Sequence, residues 1–194
     1  MNNPNGCCLP SCGCNPQASE NVSEKKGEKP EFKRTLSIEL LVIDLSTCQR
    51  CVPTGNQLRK AIEILRPAAE TLGIELQYQE TIVRSADEAK RKALLTSPTI
   101  RINGRDIAQD VRESACESCS ALTRDNTTVD CREWFYRGRL FPYAPLPMLV
   151  EAIMEAMLKI DDIPEVDPTP LDELPANLQR YFANKREEGC CCCG

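Results

Sequence analysis

The chain has 194 residues, of which 41% are hydrophobic, and a formal net charge of −5 with a pI near 5.0. This length suits one domain of ordinary size plus tails. The acidic balance leaves no basic footprint for nucleic acid or an anionic membrane surface, and no apolar run approaches the ~20 residues of a membrane span. Residues 1–30 lack the apolar core of a signal peptide, so a cytoplasmic location is expected.

Cysteine is the unusual feature of the composition, because the chain has 13 cysteines and no histidine. The odd count excludes complete pairing, and cytoplasmic thiols stay mostly reduced. Any metal site must therefore use thiolates, carboxylates, backbone carbonyls or water. Thiolate-rich sites select soft ions, which makes Zn, Cu(I), Hg(II) and As(III) the candidates, with an Fe–S cluster as a further alternative.

Residues 1–33 are predicted to be a disordered tail, because they are polar, carry mixed charge and have almost nothing to bury. Four thiols within eight residues of this tail are spaced so that they can converge on one ion: Cys7, Cys8, Cys12 and Cys14. The alternative is a tail that collects cysteines without forming a site. Exposed thiols oxidise and crosslink, which is a cost unless they are used.

Residues 36–45 are apolar at nearly every position, which predicts a buried strand. Cys48 and Cys51 follow it as a Cys-x-x-Cys pair. Thr54 fits the first position of a capping box, so an amphipathic helix begins either after Pro53, with both thiols on the loop before it, or already at Cys48. In the first arrangement the helix dipole acts weakly on Cys48, and the neighbouring cation Arg50 is expected to favour its thiolate instead.

The remaining elements follow from periodicity and turn residues. Alternating residues from Ile74 predict a second strand, and a capping box at Ser85 predicts a short helix. The Asn103-Gly104 pair between alternating runs predicts a hairpin. Pro147 is expected to start a last core helix. An acidic, Pro-rich linker, a short helix and a cysteine tail are predicted over residues 161–194.

The order of these elements over residues 36–159 resembles the thioredoxin-like fold. The motifs that carry the resemblance are the Cys-x-x-Cys pair between the first strand and helix, Ser97-Pro98-Thr99 before the third strand, and the Asn-Gly hairpin. The resemblance implies an α/β domain with βαβαββα order and a cis Pro98 that packs beside the two thiols. Gln-Arg stands between the cysteines where thioredoxins have Gly-Pro, which indicates a divergent, cysteine-rich branch.

The thioredoxin-like domain is expected to span residues 34–160 and to contain an insertion, residues 111–143, before the last core helix. In this topology the insertion emerges over the thiol site, where Cys116, Cys119 and Cys131 can reach the Cys-x-x-Cys pair. Its aromatic cluster is expected to roof the site: Trp134, Phe135, Tyr136, Phe141 and Tyr143. The three insertion cysteines are interpreted as a structural zinc knot, as redox or substrate-binding thiols, or as core residues.

These patterns lead to two functional hypotheses. In the first, the protein captures and transfers a soft metal or metalloid ion (Hg, As(III) or Cu) through all of its cysteines. The tails collect the ion, including a C-terminal run that resembles the cysteine-pair tails of mercuric reductases: Cys190, Cys191, Cys192 and Cys193. In the second, the chain is a thiol–disulfide oxidoreductase acting on a partner protein, in which Cys48 attacks and Cys51 resolves, flanked by Arg50 and Pro98.

Overall fold

A computed structural model describes residues 34–108 and 110–186. Within them the chain forms an α/β fold of seven strands and five helices. The elements in chain order are β1 (Arg34–Val42), α1 (Cys51–Thr71), β2 (Ile74–Ile82), α2 (Ala86–Arg91), β3 (Thr99–Ile102), β4 (Arg105–Asp106), β5 (Arg112–Ala115), α3 (Glu117–Ser120), β6 (Asp130–Tyr136), β7 (Arg139–Phe141), α4 (Leu146–Leu158) and α5 (Ala176–Asn184).

The main sheet is mixed and has the strand order β2-β1-β3-β4. β1 pairs in parallel with β2, as a strand–helix–strand crossover requires, and antiparallel with β3. α1 packs against α4 and against this sheet. At Gly55 the helix lies so close to β1 that a Cβ would come within 3.2 Å of the Leu40 side chain. The core therefore lies between these two helices and the buried face of β1.

The predicted Asn103-Gly104 hairpin is confirmed between β3 and β4. Both residues have positive φ, 48° and 78°, which is the requirement of the two-residue turn that matches strand twist. Any larger residue at Gly104 would also collide with the backbone carbonyl of Val166. The Ser97–Pro98 peptide bond just before β3 is cis, as the resemblance implied.

One predicted capping box is confirmed and the other was wrong. Ser85 caps α2, because its hydroxyl accepts from the Glu88 backbone N–H at 3.2 Å. α1 begins at Cys51 and not at Thr54, whose hydroxyl is buried and accepts instead from the Ala144 N–H at 3.3 Å. Pro53 lies in the first turn, where its missing N–H costs no helical bond.

The insertion, which showed no clear periodicity, folds as a separate three-stranded antiparallel sheet, β5-β6-β7, with α3 between its first two strands. A second two-residue turn, Arg137-Gly138, joins β6 to β7 and again has two positive φ values. Trp134 on β6 is fully buried. The insertion is therefore a small folded layer with its own place in the core.

The segment after α4 has little regular structure until α5, but it packs along the domain. The Val166 N–H donates to the Asn103 carbonyl, and the Leu171 N–H donates to the Lys90 carbonyl. α5 buries Leu178 and Tyr181, and its Phe182 is half-buried. No helix in the described ranges is long and apolar enough to cross a membrane. The division into domains at residues 33 and 160 stays a prediction.

Candidate metal centre

Four buried cysteines converge between the main sheet and the insertion. Their Sγ atoms all lie within 4.8 Å of one another: Cys48, Cys116, Cys119 and Cys131. All four are free thiols and at least 96% enclosed. The sequence-based expectation that the insertion cysteines reach Cys48 therefore describes this arrangement, and a cluster of this kind can bind a metal ion.

Separate elements bring each sulfur to the cluster. Cys48 lies in the loop between β1 and α1, three residues before the helix begins. Cys116 caps α3 and Cys119 lies within it, so that their i, i+3 spacing places both on one side of the turn. Cys131 comes from β6, where it pairs across the strands with Ser114. The site therefore exists only when the insertion is docked on the start of α1.

A chain of hydrogen bonds links the thiols. The Cys131 thiol donates to the Cys119 Sγ, and the Cys119 thiol donates to the Cys48 Sγ, both at 3.3 Å. The backbone N–H of Cys51, the first residue of α1, also donates to the Cys48 Sγ at 3.2 Å. The helix N-terminus thus acts on Cys48 directly, contrary to the expectation drawn from Thr54.

These contacts separate the pKa values of the four thiols. Hydrogen bonds from Cys116, Cys119 and Cys131 hold the pKa of Cys48 far below its usual range. Hydrogen bonds from Cys119 and Cys131 lower the pKa of Cys116 to about 6. Interaction with Cys116 raises the pKa values of Cys119 and Cys131, which keep their protons. Thiolate, the form that binds metals, therefore accumulates on Cys48 and, above about pH 6, on Cys116.

Asp44 and Ser118 hold the ligand loops in place. One oxygen of the Asp44 carboxylate accepts the backbone N–H groups of Thr47 at 2.8 Å and Cys48 at 2.7 Å. The Ser118 hydroxyl accepts the Gln49 N–H at 3.1 Å and lies 3.3 Å from the Cys116 Sγ. Outer contacts of this kind orient metal ligands and tune their affinity. Sequence reasoning missed both residues. The Asp44-x-x-Thr47 spacing is a local turn signal, whereas nothing local marks Ser118.

Arg50 binds the backbone of the insertion. Its guanidinium donates to the carbonyls of Cys131 at 2.8 Å and Ala115 at 2.9 Å, and to the Ser114 hydroxyl at 2.7 Å. Two strands of the small sheet are thereby joined to the start of α1. The hydrogen bonds that lower the pKa of Cys48 come from thiols, so the visible role of Arg50 is to close the site.

Cys51 lies beside the cluster but outside the four. It is fully buried, and its Sγ lies 3.4 Å from the hydroxyl of Ser97, which also accepts the Ile43 N–H. Interaction with Cys48 and burial raise the pKa of Cys51. Pro98 is buried next to Ser97. Of the Cys-x-x-Cys pair, then, one sulfur faces the insertion and the other faces the start of β3.

Two further expectations concern the surroundings. The aromatic roof is not formed by Phe135 or Tyr143, which are 47% and 38% exposed. Trp134 and Phe135 instead lie against arginine side chains, those of Arg132 and Arg112. The eight tail cysteines at positions 7, 8, 12, 14 and 190–193 lie outside the described residues.

Comparison with known proteins gives one family. A family model described as "Domain of unknown function (DUF2703)" matches residues 36–153, which are 118 of the 194 residues. The matched range contains all four cluster cysteines and Cys51, and neither tail. No curated protein and no solved structure matches the chain.

Proposed function

The chain belongs to the DUF2703 family, and we propose that its four-cysteine cluster captures a soft metal or metalloid ion and passes it on by thiolate exchange. The observation that carries the proposal is the convergence of four buried Sγ atoms within 4.8 Å. Sulfur-only donor sets select thiophilic ions: Zn(II), Cu(I), Hg(II) and As(III).

The dimensions of the cluster fit a thiolate-bound ion. A tetrahedral zinc site with Zn–S bonds of 2.3 Å has edges of about 3.8 Å. The sulfurs are separated by 3.3 Å along the hydrogen-bonded chain and by at most 4.8 Å overall, so small side-chain shifts suffice. Four thiolates around Zn(II) carry a net charge of about −2. The Arg50 guanidinium and the N-terminus of α1 both lie where they offset part of it.

Capture proceeds by exchange of one thiolate for another. As an incoming ion approaches, the Cys48 thiolate forms the first bond with it, and one S–metal bond to the carrier breaks. The Cys119 and Cys131 thiols then lose their protons as they bind, because the ligand form is the thiolate. Further carrier bonds break as these sulfurs bind, and each released carrier thiolate takes up one of the protons lost. No electron is transferred in any of these steps. Cys51 lies next to Cys48 as a thiol that can take part in release.

We also propose that the frame around the site is a thioredoxin-like domain. The strand order β2-β1-β3-β4, with β1 and β2 parallel and β3 and β4 antiparallel neighbours, supports this assignment. The Cys-x-x-Cys pair at the start of α1 supports it too. The insertion with its three cysteines then encloses Cys48 in a four-thiol site.

The direct test is native mass spectrometry of reduced, anaerobically purified protein in which the eight tail cysteines are serine. We expect one Zn(II), Hg(II), As(III) or Cu(I) ion per chain to survive competition with millimolar glutathione. A matched variant that also carries Cys48→Ser and Cys119→Ser should lose the ion. If the first variant retains no ion of any kind, the proposal is wrong.

The rival function is thiol–disulfide exchange through Cys48 and Cys51. The N–H bond from α1 to the Cys48 Sγ favours it, because it stabilises an attacking thiolate. Both sulfurs are fully buried, so a protein disulfide reaches them only if the insertion moves. Disulfide reductase activity that persists in full in a Cys48→Ser variant would exclude this rival.

A further inference from the structure

The last described residue before the C-terminal cysteines is hydrogen-bonded to the turn that follows Cys119. Arg186 donates from its backbone N–H to the Leu122 carbonyl at 3.0 Å and from its Nε to the Thr123 carbonyl at 2.9 Å. Leu122 in turn donates to the Cys119 carbonyl at 3.1 Å. Two hydrogen-bond steps thus join the end of the described chain to a cluster cysteine.

A groove opens at this point. Its volume is about 470 Å³, and its lining includes Ile43, Leu45, Ala121, Leu122, Tyr181 and Arg186. We call it the exit groove. Asp44, the residue that holds the Cys48 loop, also lines it. The groove therefore borders the loop that carries Cys48 and the turn that follows Cys119.

Its chemistry matches the segment that follows. Lys185 and Arg186 lie on the groove, and the next two residues are Glu187 and Glu188. The glutamates precede Gly189 and four cysteines, and cysteine behaves as a small apolar side chain with respect to packing. Acidic residues beside the basic rim and small apolar residues over an apolar floor are complementary to this surface.

The N-terminal cysteines precede Arg34, which lies at the far end of β1 from the thiol site. Arg34 begins β1, where its guanidinium bonds the Leu72 carbonyl and the Asp161 carboxylate. β1 ends beside the thiol site, and its eight steps to Val42 span about 26 Å. Cys14 precedes Arg34 by 20 residues, whereas Cys190 follows Arg186 by four, a distance of at most about 14 Å.

We infer that residues 187–194, and not the N-terminal tail, occupy the exit groove and deliver the ion to the four-cysteine cluster. This inference rests on the proposed function. In the step, an S–metal bond to a cysteine of the segment breaks as a bond to the Cys48 thiolate forms. Bonds to the other cluster sulfurs follow, and each proton that a cluster thiol loses passes to a released cysteine of the segment, without oxidation or reduction.

The two tails differ in the effective concentration of their thiols at the cluster, and this difference can be calculated. Effective concentration falls roughly as the −3/2 power of the linking length, so spacers of four and 20 residues differ by about tenfold. The additional length of β1 lowers the effective concentration of the N-terminal thiols further.

The test measures how fast Hg(II), supplied as its bis-glutathione complex, becomes resistant to a short pulse of a competing dithiol. Two matched full-length variants each lose four thiols, one at positions 190–193 and the other at 7, 8, 12 and 14, all changed to serine. We expect the first to load about tenfold more slowly than the unmodified chain and the second to change by less than twofold. Equal slowing in the two variants, or none in either, would overturn the inference.

Two further variants separate the failure modes. With all eight tail cysteines changed to serine, the chain should still hold one ion at equilibrium, and failure to hold it would refute the proposed function itself. Lys185→Glu reverses a charge on the groove and should slow loading about threefold at low salt, with the effect shrinking at high salt. Loading that is unaffected by Lys185→Glu at any salt concentration would show that the segment does not use the exit groove.

Discussion

Replacing Cys119 by serine gives the sharpest test of the cluster, because this residue is hydrogen-bonded to both Cys48 and Cys131. Structural zinc binding provides about 10–16 kcal/mol over four ligands, or about 2.5–4 kcal/mol for each ligand. Because 1.4 kcal/mol is a factor of ten, the Cys119→Ser variant should bind Zn(II) about 100- to 1,000-fold more weakly.

Cys51→Ser is the matched control for this substitution. Cys51 is equally buried and lies next to Cys48, yet its sulfur contacts the Ser97 hydroxyl and is not one of the four that converge. Both variants bury a hydroxyl in place of a thiol, so they share any cost to folding. Zn(II) affinity, measured by competition with a chromophoric chelator in the background without tail cysteines, should change less than about threefold in Cys51→Ser. Comparable losses in the two variants would refute the assignment of the four ligands.

Three other predictions follow from the structure. Arg50→Ala should weaken Zn(II) binding about 10- to 100-fold in the same assay. Arg50→Lys should restore only part of the loss, because one ammonium cannot reproduce the three hydrogen bonds of the guanidinium. Full affinity in Arg50→Ala would contradict the role of Arg50 in closing the site. In urea titrations, Trp134→Ala should lower the free energy of unfolding by about 3–5 kcal/mol, because Trp134 is fully buried. Phe135→Ala should lower it by less than about 1 kcal/mol, because Phe135 is 47% exposed. Similar losses in the two variants would argue against the packing of β6. Free Zn(II) at 100 times its dissociation constant should stabilise the variant whose eight tail cysteines are serine by about 2.7 kcal/mol. This corresponds to a rise in Tm of about 5–11 °C, which a chelator should reverse.

Local signals predicted the elements whose chemistry is local. The Asn103-Gly104 turn and the Ser85 cap need only their own backbone conformation and hydrogen bonds, and both occur as expected. The capping box at Thr54 was wrong because a tertiary partner, the Ala144 N–H, takes the hydroxyl that a cap would use. The insertion gave no periodic signal because its strands are short and its structure depends on docking.

The sequence by itself determined that this is a thiol protein. Its 13 cysteines, its lack of histidine and the Cys-x-x-Cys pair between a strand and a helix make thiolates the expected metal ligands. Which thiols act together was decided only by the tertiary structure. Cys48 and Cys51 are three residues apart yet have different partners, while Cys48 and Cys119 are 71 residues apart and in contact at 3.3 Å. The physical reason is that ligand geometry depends on which face of an element each side chain occupies and on what is docked against it. The Arg50 contacts hold the insertion in its docked position.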